Sequence, residues 1–153
     1  MNSWRVRLYF LGHMSWAYVW GRAFASKRST KLSVPAVLMF GILPDVDLFL
    51  RHLGVVHNTL THSFFFWLVV FAPPLLVFQA KAIPYLVAVV QHFAFGDFLV
   101  GSVMIFWPFS KSFFGLNAPM PSALDAGLEI VGLLFAIVIV CLNGDLRRLV
   151  STE

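Results

Sequence analysis

Five apolar runs, at residues 8–25, 34–50, 62–79, 83–107 and 122–142, limit what this chain can fold into. A helix that crosses a bilayer needs about 20 apolar residues, and runs of this size in succession leave room only for short loops. Composition agrees: 59% of the residues are hydrophobic and 12% charged, with a mean hydropathy of +0.84. An ordinary soluble domain is about half apolar and roughly a quarter charged. The pattern excludes a disordered chain and a typical soluble one. It predicts an all-α, polytopic membrane helical bundle of about five transmembrane or half-spanning helices. Residues 1–153 form a single integral membrane domain in this reading, with helices near 6–25, 34–52, 62–79, 83–107 and 122–143.

The formal charge of +4 and the pI near 9.6 do not call for a nucleic-acid partner, because Lys and Arg sit at the ends of apolar runs. Arg22, Lys27, Arg28, Lys31, Lys81, Arg147 and Arg148 fall on one side of an alternating bundle, and Arg5, Arg7, Arg51 and Lys111 on the other. That excess puts the first loop and the C-terminus inside, and a re-entrant second run would reverse everything after it. Bulky Trp16, Tyr18 and Trp20, together with His13, mark the first run as a retained helix rather than a cleaved leader. Cys141 is the only cysteine, so any metal must be held by His and carboxylate.

Several runs carry interruptions. Pro44 opens the second, Pro73 and Pro74 predict a kink in the third, and Gln91, His92, Gly96, Asp97 and Gly101 break up the fourth. Thr61 is placed to cap the third helix, and Ser122 with Asp125 forms a capping-box pattern for the last.

Ionisable groups inside apolar runs are expensive, and His13, Asp45, Asp47, His62, His92, Asp97 and Glu129 are therefore candidate functional residues. In an alternating bundle, the starts of odd helices and the ends of even ones face the same side. His13, Asp45, Asp47, His62, Asp97, Asp125 and Glu129 then converge near one surface. His92 fits only if the fourth helix breaks at Gly96 or Gly101, because a straight helix would bury it about 20 Å from Trp107. Carboxylates beside neutral imidazoles form a donor set for a divalent cation, zinc first and manganese or iron next. Simpler roles exist: a backbone-bonded histidine for His13, a cap at the Pro44 break for Asp45 and Asp47, an interfacial position for His52, and lipid contact for the Phe and Trp residues.

Gly12-His13, Leu43-Pro44-Asp45-Val46-Asp47, His57-Asn58-Thr59-Leu60-Thr61-His62-Ser63 and His92 followed by an Asp and a Trp-Pro pair occur in that order. Together they resemble the YdjM-type family, described as LexA-regulated, metal-dependent hydrolases of the inner membrane. The resemblance covers about the first two-thirds of the chain and implies inner-membrane localisation, hydrolase activity and metal-site residues His13, Asp45, Asp47, His57, His62 and His92. Two departures stand out. Asn58 and Thr59 replace the family's usual Arg-Gly, and Gly96 holds the place of the acid that usually follows His92 by four residues, with Asp97 one further on. A five-residue offset turns a side chain by about 140° on a regular helix unless a π-bulge absorbs the extra residue.

These readings lead to a membrane-embedded hydrolase that activates water with a metal and acts on a lipid or lipid-linked phosphate or ester. His57 and Asp97 are the acid–base candidates. Alternatives are a metal-ion or proton transporter, which needs a polar track to both faces, and a relative that keeps a structural metal.

Overall fold

The computed structural model describes residues 9–27, 29–116 and 122–145. Arg5, Arg7, Arg28, Arg147 and Arg148, on which the charge count leans, lie outside them, as do the side chains of Ser122 and Asp125.

The chain is all-α. Helix α1 (Tyr9–Lys27) is its axis, packed against α2 (Val34–Ile42), α5 (Ile83–Gln91) and α7 (Ser122–Asn143). Between helices in an apolar medium, close van der Waals packing replaces the hydrophobic effect as the associating force, and small residues let backbones approach. Gly41 illustrates this, since a Cβ there would overlap that of Ala17 on α1. Ala17, Tyr18, Val34, Val37, Ala88 and Ala136 form the layer that joins the four helices. A second cluster of Trp67, Phe71, Val89, Phe93 and Val103 holds α4 (Phe64–Phe78) against α5, and Phe40 and Tyr85 touch both clusters.

Two stretches, Phe64–Lys81 and Ala126–Asn143, are long and apolar enough to cross a membrane. Both are mostly uncovered: Val69, Leu76 and Val77 on α4, and Ile130, Leu134 and Leu142 on α7, are exposed. Helix α4 runs through Pro73 and Pro74 without ending.

Three local expectations change. The stretch expected as one helix over 34–52 stops at Ile42, passes through a 3-10 turn at Leu43–Asp45, and resumes as the single turn α3 (Val46–Phe49). Pro44 has no amide hydrogen to continue the ladder. A 3-10 turn at Arg51–Leu53 ends at Gly54, which takes the left-handed conformation (φ 81°). The cap of α4 is Ser63, whose Oγ accepts from the Phe66 amide, and not Thr61, which turns its hydroxyl to Asp47. Finally, the helix expected over 83–107 leaves helical geometry at Gly101, after α6 (Phe98–Val100).

Residues 101–116 instead fold back over the loop that precedes α4. Val103 and Phe114 exchange both backbone hydrogen bonds, Met104 N donates to the Asn58 carbonyl, and Phe64 N donates to that of Ile105. Ser63 Oγ donates to the carbonyl of Trp107. These tertiary bonds supply the partners a continuing helix would have offered.

At the far end of α1, Tyr18 Oη donates to Asp145 Oδ2 at 2.7 Å, Arg22 Nε lies 3.0 Å from the same oxygen, and Arg22 Nη2 donates to Asn143 Oδ1 at 2.9 Å. Arg22 and Asp145 are both buried. Removing one partner of such a pair strands the other charge, so Asp145→Ala is expected to destabilise the protein by about 3–5 kcal/mol, read as a lowered thermal midpoint in detergent. A loss no larger than the roughly 1 kcal/mol of an exposed pair would show that the pair does not clamp α7 to α1.

Candidate metal centre

Four broken or terminal segments meet at the other end of α1. His13 comes from its first turns, Asp45 and Asp47 from the Pro44 break, His57 and His62 from the loop before α4, and His92 and Asp97 from the end of α5. The structure thus brings together every residue singled out as a candidate ligand or acid–base group. They fall into three overlapping sets whose donor atoms lie within 4.8 Å of one another: His13, His92 and Asp97; Asp45, His62 and His92; Asp47, His57 and His62. His52 is exposed and apart from them. Glu129 also stays outside these sets; its carboxylate accepts from Gly12 N at 3.2 Å, near the start of α1.

The break at Pro44 separates two carboxylates that are only two residues apart. Asp45 Oδ1 lies 3.7 Å from His62 Nε2 and 3.4 Å from His92 Nε2. Asp47 faces the other edge of His62, 3.3 Å from Nδ1, and accepts from His57 Nδ1 at 2.7 Å.

The five-residue offset from His92 to Asp97 is absorbed by a π-helical turn over His92–Asp97. In that geometry residues five apart stack as residues four apart do on an α-helix. Asp97 Oδ2 accordingly stands 3.4 Å from His92 Nε2 and 3.1 Å from His62 Nε2. Gly96 has its own role in the turn. The His13 ring stacks on His92 at a centroid distance of 3.8 Å, and a Cβ on Gly96 would overlap His13 Cε1.

Hydrogen bonds orient the rings. His92 Nδ1 is 2.7 Å from the Gly41 carbonyl, which can only accept, so Nδ1 carries a proton and Nε2 is the ring atom turned to Asp45 and Asp97. That carbonyl is free because α2 ends one residue later. Gln91 Nε2 donates to the His13 carbonyl at 3.1 Å and ties α5 to α1 beside the stack.

His62 Nε2, His92 Nε2 and Asp97 Oδ2 are buried without a hydrogen-bond partner. Buried polar atoms are nearly always paired, and these three face one another at 3.1 to 3.4 Å, two imidazole nitrogens on one carboxylate oxygen, which is the chemistry of a coordination set. Two donors bonded to one zinc-sized ion at tetrahedral angles lie about 3.3 Å apart. The four imidazole–carboxylate separations among Asp45, His62, His92 and Asp97 run from 3.1 to 3.7 Å. The residues present therefore fit a divalent cation.

Sequence reasoning missed the partners that are backbone or neutral: the Gly41 carbonyl, the Asn58 amide, the Thr61 hydroxyl and Gln91. Two of them carried a signal: Asn58, since Asn is enriched at positive φ and its value here is 63°, and Gln91, a polar residue within an apolar run.

An all-α protein with two apolar helices of spanning length and a His/Asp cluster sunk in its interior fits the class of membrane proteins with a candidate metal centre. The chain belongs to the YdjM inner membrane protein family, whose model it matches over residues 9–147. No curated protein and no solved structure matches it.

Two variants probe how the turn builds the site. Gly96→Ala is expected to push the His13 ring off His92 at a stability loss of about 1–3 kcal/mol, whereas Gly127→Ala, with nothing within 4 Å of the new Cβ, is neutral or stabilising. Deleting Phe95, whose side chain is exposed, should convert the π-turn to α-helix and leave His92 and the acid four apart on one face. Metal binding retained in the deletion variant is the expected result, and its loss would show that the site depends on the bulge itself.

Proposed function

We propose that the chain is a single-domain, multi-pass membrane protein that uses a divalent cation to hydrolyse a phosphate or ester bond in an amphiphilic substrate, a lipid or lipid-linked molecule. The observation that carries this reading is the convergence of the buried atoms His62 Nε2, His92 Nε2 and Asp97 Oδ2, which make no hydrogen bond outside their own group. Asp45 completes the set, and His13, stacked on His92 with Nε2 at 3.9 Å from Asp97 Oδ1, stands beside it. Zinc suits this mix of imidazole and carboxylate, with manganese or iron as alternatives. Such a cation, when bound, makes water a nucleophile at neutral pH and polarises a phosphoryl or acyl oxygen.

The chain's own residues supply the rest. His57 is partly exposed and loop-borne, with Nδ1 engaged by Asp47, so its other ring nitrogen is the group assigned to take a proton from water and return it to the leaving group. Asp97, the other acid–base candidate, is assigned to the cation because its Oδ2 is one of the converging atoms. The stretches that carry and cover the site expose Phe49, Leu53, Val56, Phe109 and Phe113, which supports an apolar substrate tail. Ala17, Val37 and Ala88 separate this cluster from the Tyr18–Arg22–Asp145 group, which favours a one-sided site over a polar track for transport.

The test is hydrolysis of a lipid phosphate and of a short-chain ester by detergent-purified protein. Activity should vanish on chelation, return with zinc or manganese, and fall in His92→Ala by more than the roughly 10–100-fold typical of an outer-shell change. Hydrolysis that survives both treatments overturns the reading. Ion flux into vesicles without hydrolysis replaces it with transport.

A further inference from the structure

We propose that the centre holds one cation, and that Asp47 is its positioning carboxylate: it fixes His62 toward the cation and His57 toward the substrate without being a ligand. The inference rests on the metal-centre reading above and departs from treating Asp47 and His57 as ligands.

Asp47 is 1% exposed, and its oxygens are already engaged. Oδ1 accepts from His57 Nδ1 at 2.7 Å, while Oδ2 accepts from the Thr61 hydroxyl at 2.9 Å and the Asn58 amide at 3.2 Å. His62 Nδ1 is 3.3 Å from the same Oδ2 and 3.2 Å from Thr61 Oγ1. The proton between these groups can be placed. Thr61 spends its only hydrogen on Asp47, so both oxygens near His62 Nδ1 are acceptors, and Nδ1 must carry the ring's hydrogen. A neutral imidazole then has a single lone pair, on Nε2, and that atom is the one that faces Asp45 and Asp97. The arrangement is a carboxylate–histidine pair of the kind that orients a ring for metal binding.

A second cation among Asp47, His57 and His62 would have to displace these hydrogen bonds. If it also bound His62 through Nδ1, that ring would have to lose both protons. Two ions on opposite edges of one ring would stand farther apart than the roughly 3.5–4 Å of two-metal hydrolytic centres. The set Asp47, His57 and His62 is therefore explained by its hydrogen bonds alone, whereas the atoms around Asp97 are not.

The other consequence concerns His57. With Nδ1–H donated to Asp47, its Nε2 is left as an acceptor on a partly exposed ring. One buried carboxylate thus sets the tautomer of two imidazoles, one turned inward and one outward.

Equilibrium zinc titration of the full chain in detergent tests this. The wild type should bind one equivalent. Asp47→Asn should still bind one, at an affinity weaker by roughly 10–100-fold. His57→Ala should also still bind one equivalent, and because the residue sits on a loop it serves if Asp47→Asn fails to fold. Nitrogen-15 spectra of zinc-loaded wild type should show His62 protonated at Nδ1, and this signature should weaken in Asp47→Asn. Two equivalents in the wild type, with one lost in either variant, overturn the inference and leave a metal-dependent hydrolase standing. No tight zinc in the wild type overturns the metal centre and the inference together.

Discussion

Pro44 has no amide hydrogen to give the carbonyl of Phe40, and α2 ends at Ile42 because of it. On an unbroken helix, Asp45 and Asp47 would point about 200° apart, and at most one would reach the interior. With the 3-10 turn at Leu43–Asp45 and the single turn of α3, Asp45 meets the Nε2 edges of His62 and His92 while Asp47 meets the Nδ1 edge of His62. The same break leaves the Gly41 carbonyl without a helical donor, and His92 uses it. One missing hydrogen bond thus positions two carboxylates and the tautomer of a third residue.

The π-turn at His92–Asp97 is a second backbone irregularity, and it interlocks with the first. It carries Asp97 to the face of His92 and puts Gly96, which has no side chain to obstruct, under the His13 ring. Unbonded backbone is costly in an apolar interior, so irregular helices persist there only where other groups satisfy them. The segment that follows shows how: Gly101 N bonds the Asp97 carbonyl at 2.8 Å, and Leu116 N bonds that of Phe98 at 2.8 Å. Residues 101–116 therefore finish the helix they interrupt and cover the loop that carries His57 and His62.

The sequence discloses most where one residue alone decides the outcome. Apolar runs announce helices, Pro44 announces a break, and a histidine or aspartate within such runs announces a site, since each is costly where it stands. The course of 101–116 was not legible, because its structure rests on bonds to Asn58, Phe64 and Ser63 that no local pattern encodes. The offset of Asp97 was visible as an anomaly with two outcomes, a rotated carboxylate or a π-turn, and the choice rests on tertiary contacts, Asp97 with His62 and His92 and Gly96 with His13, that the local sequence does not encode. Thr61 was misread as a helix cap because its real partner, Asp47, is fourteen residues away. Asp145 passed unnoticed because it adjoins a polar tail, although it is buried against Tyr18 and Arg22.

From His13 to Arg22 along α1 is about 13 Å, and the two ends hold different chemistry. At the Arg22 end, Asp145 has a hydroxyl and a guanidinium, so that cluster is balanced by protein groups alone. At the His13 end, three carboxylates face four imidazoles, and only Asp47 has hydrogen-bond donors enough to satisfy it. Asp97 Oδ2 and the Nε2 atoms of His62 and His92 have none. Burying such atoms is tolerable when an ion joins them, and their separations of 3.1 to 3.7 Å suit donors that share one ion. Among the described residues, the apolar layer of Ala17, Val37 and Ala88 lies between these two clusters and keeps their charges at opposite ends of the bundle.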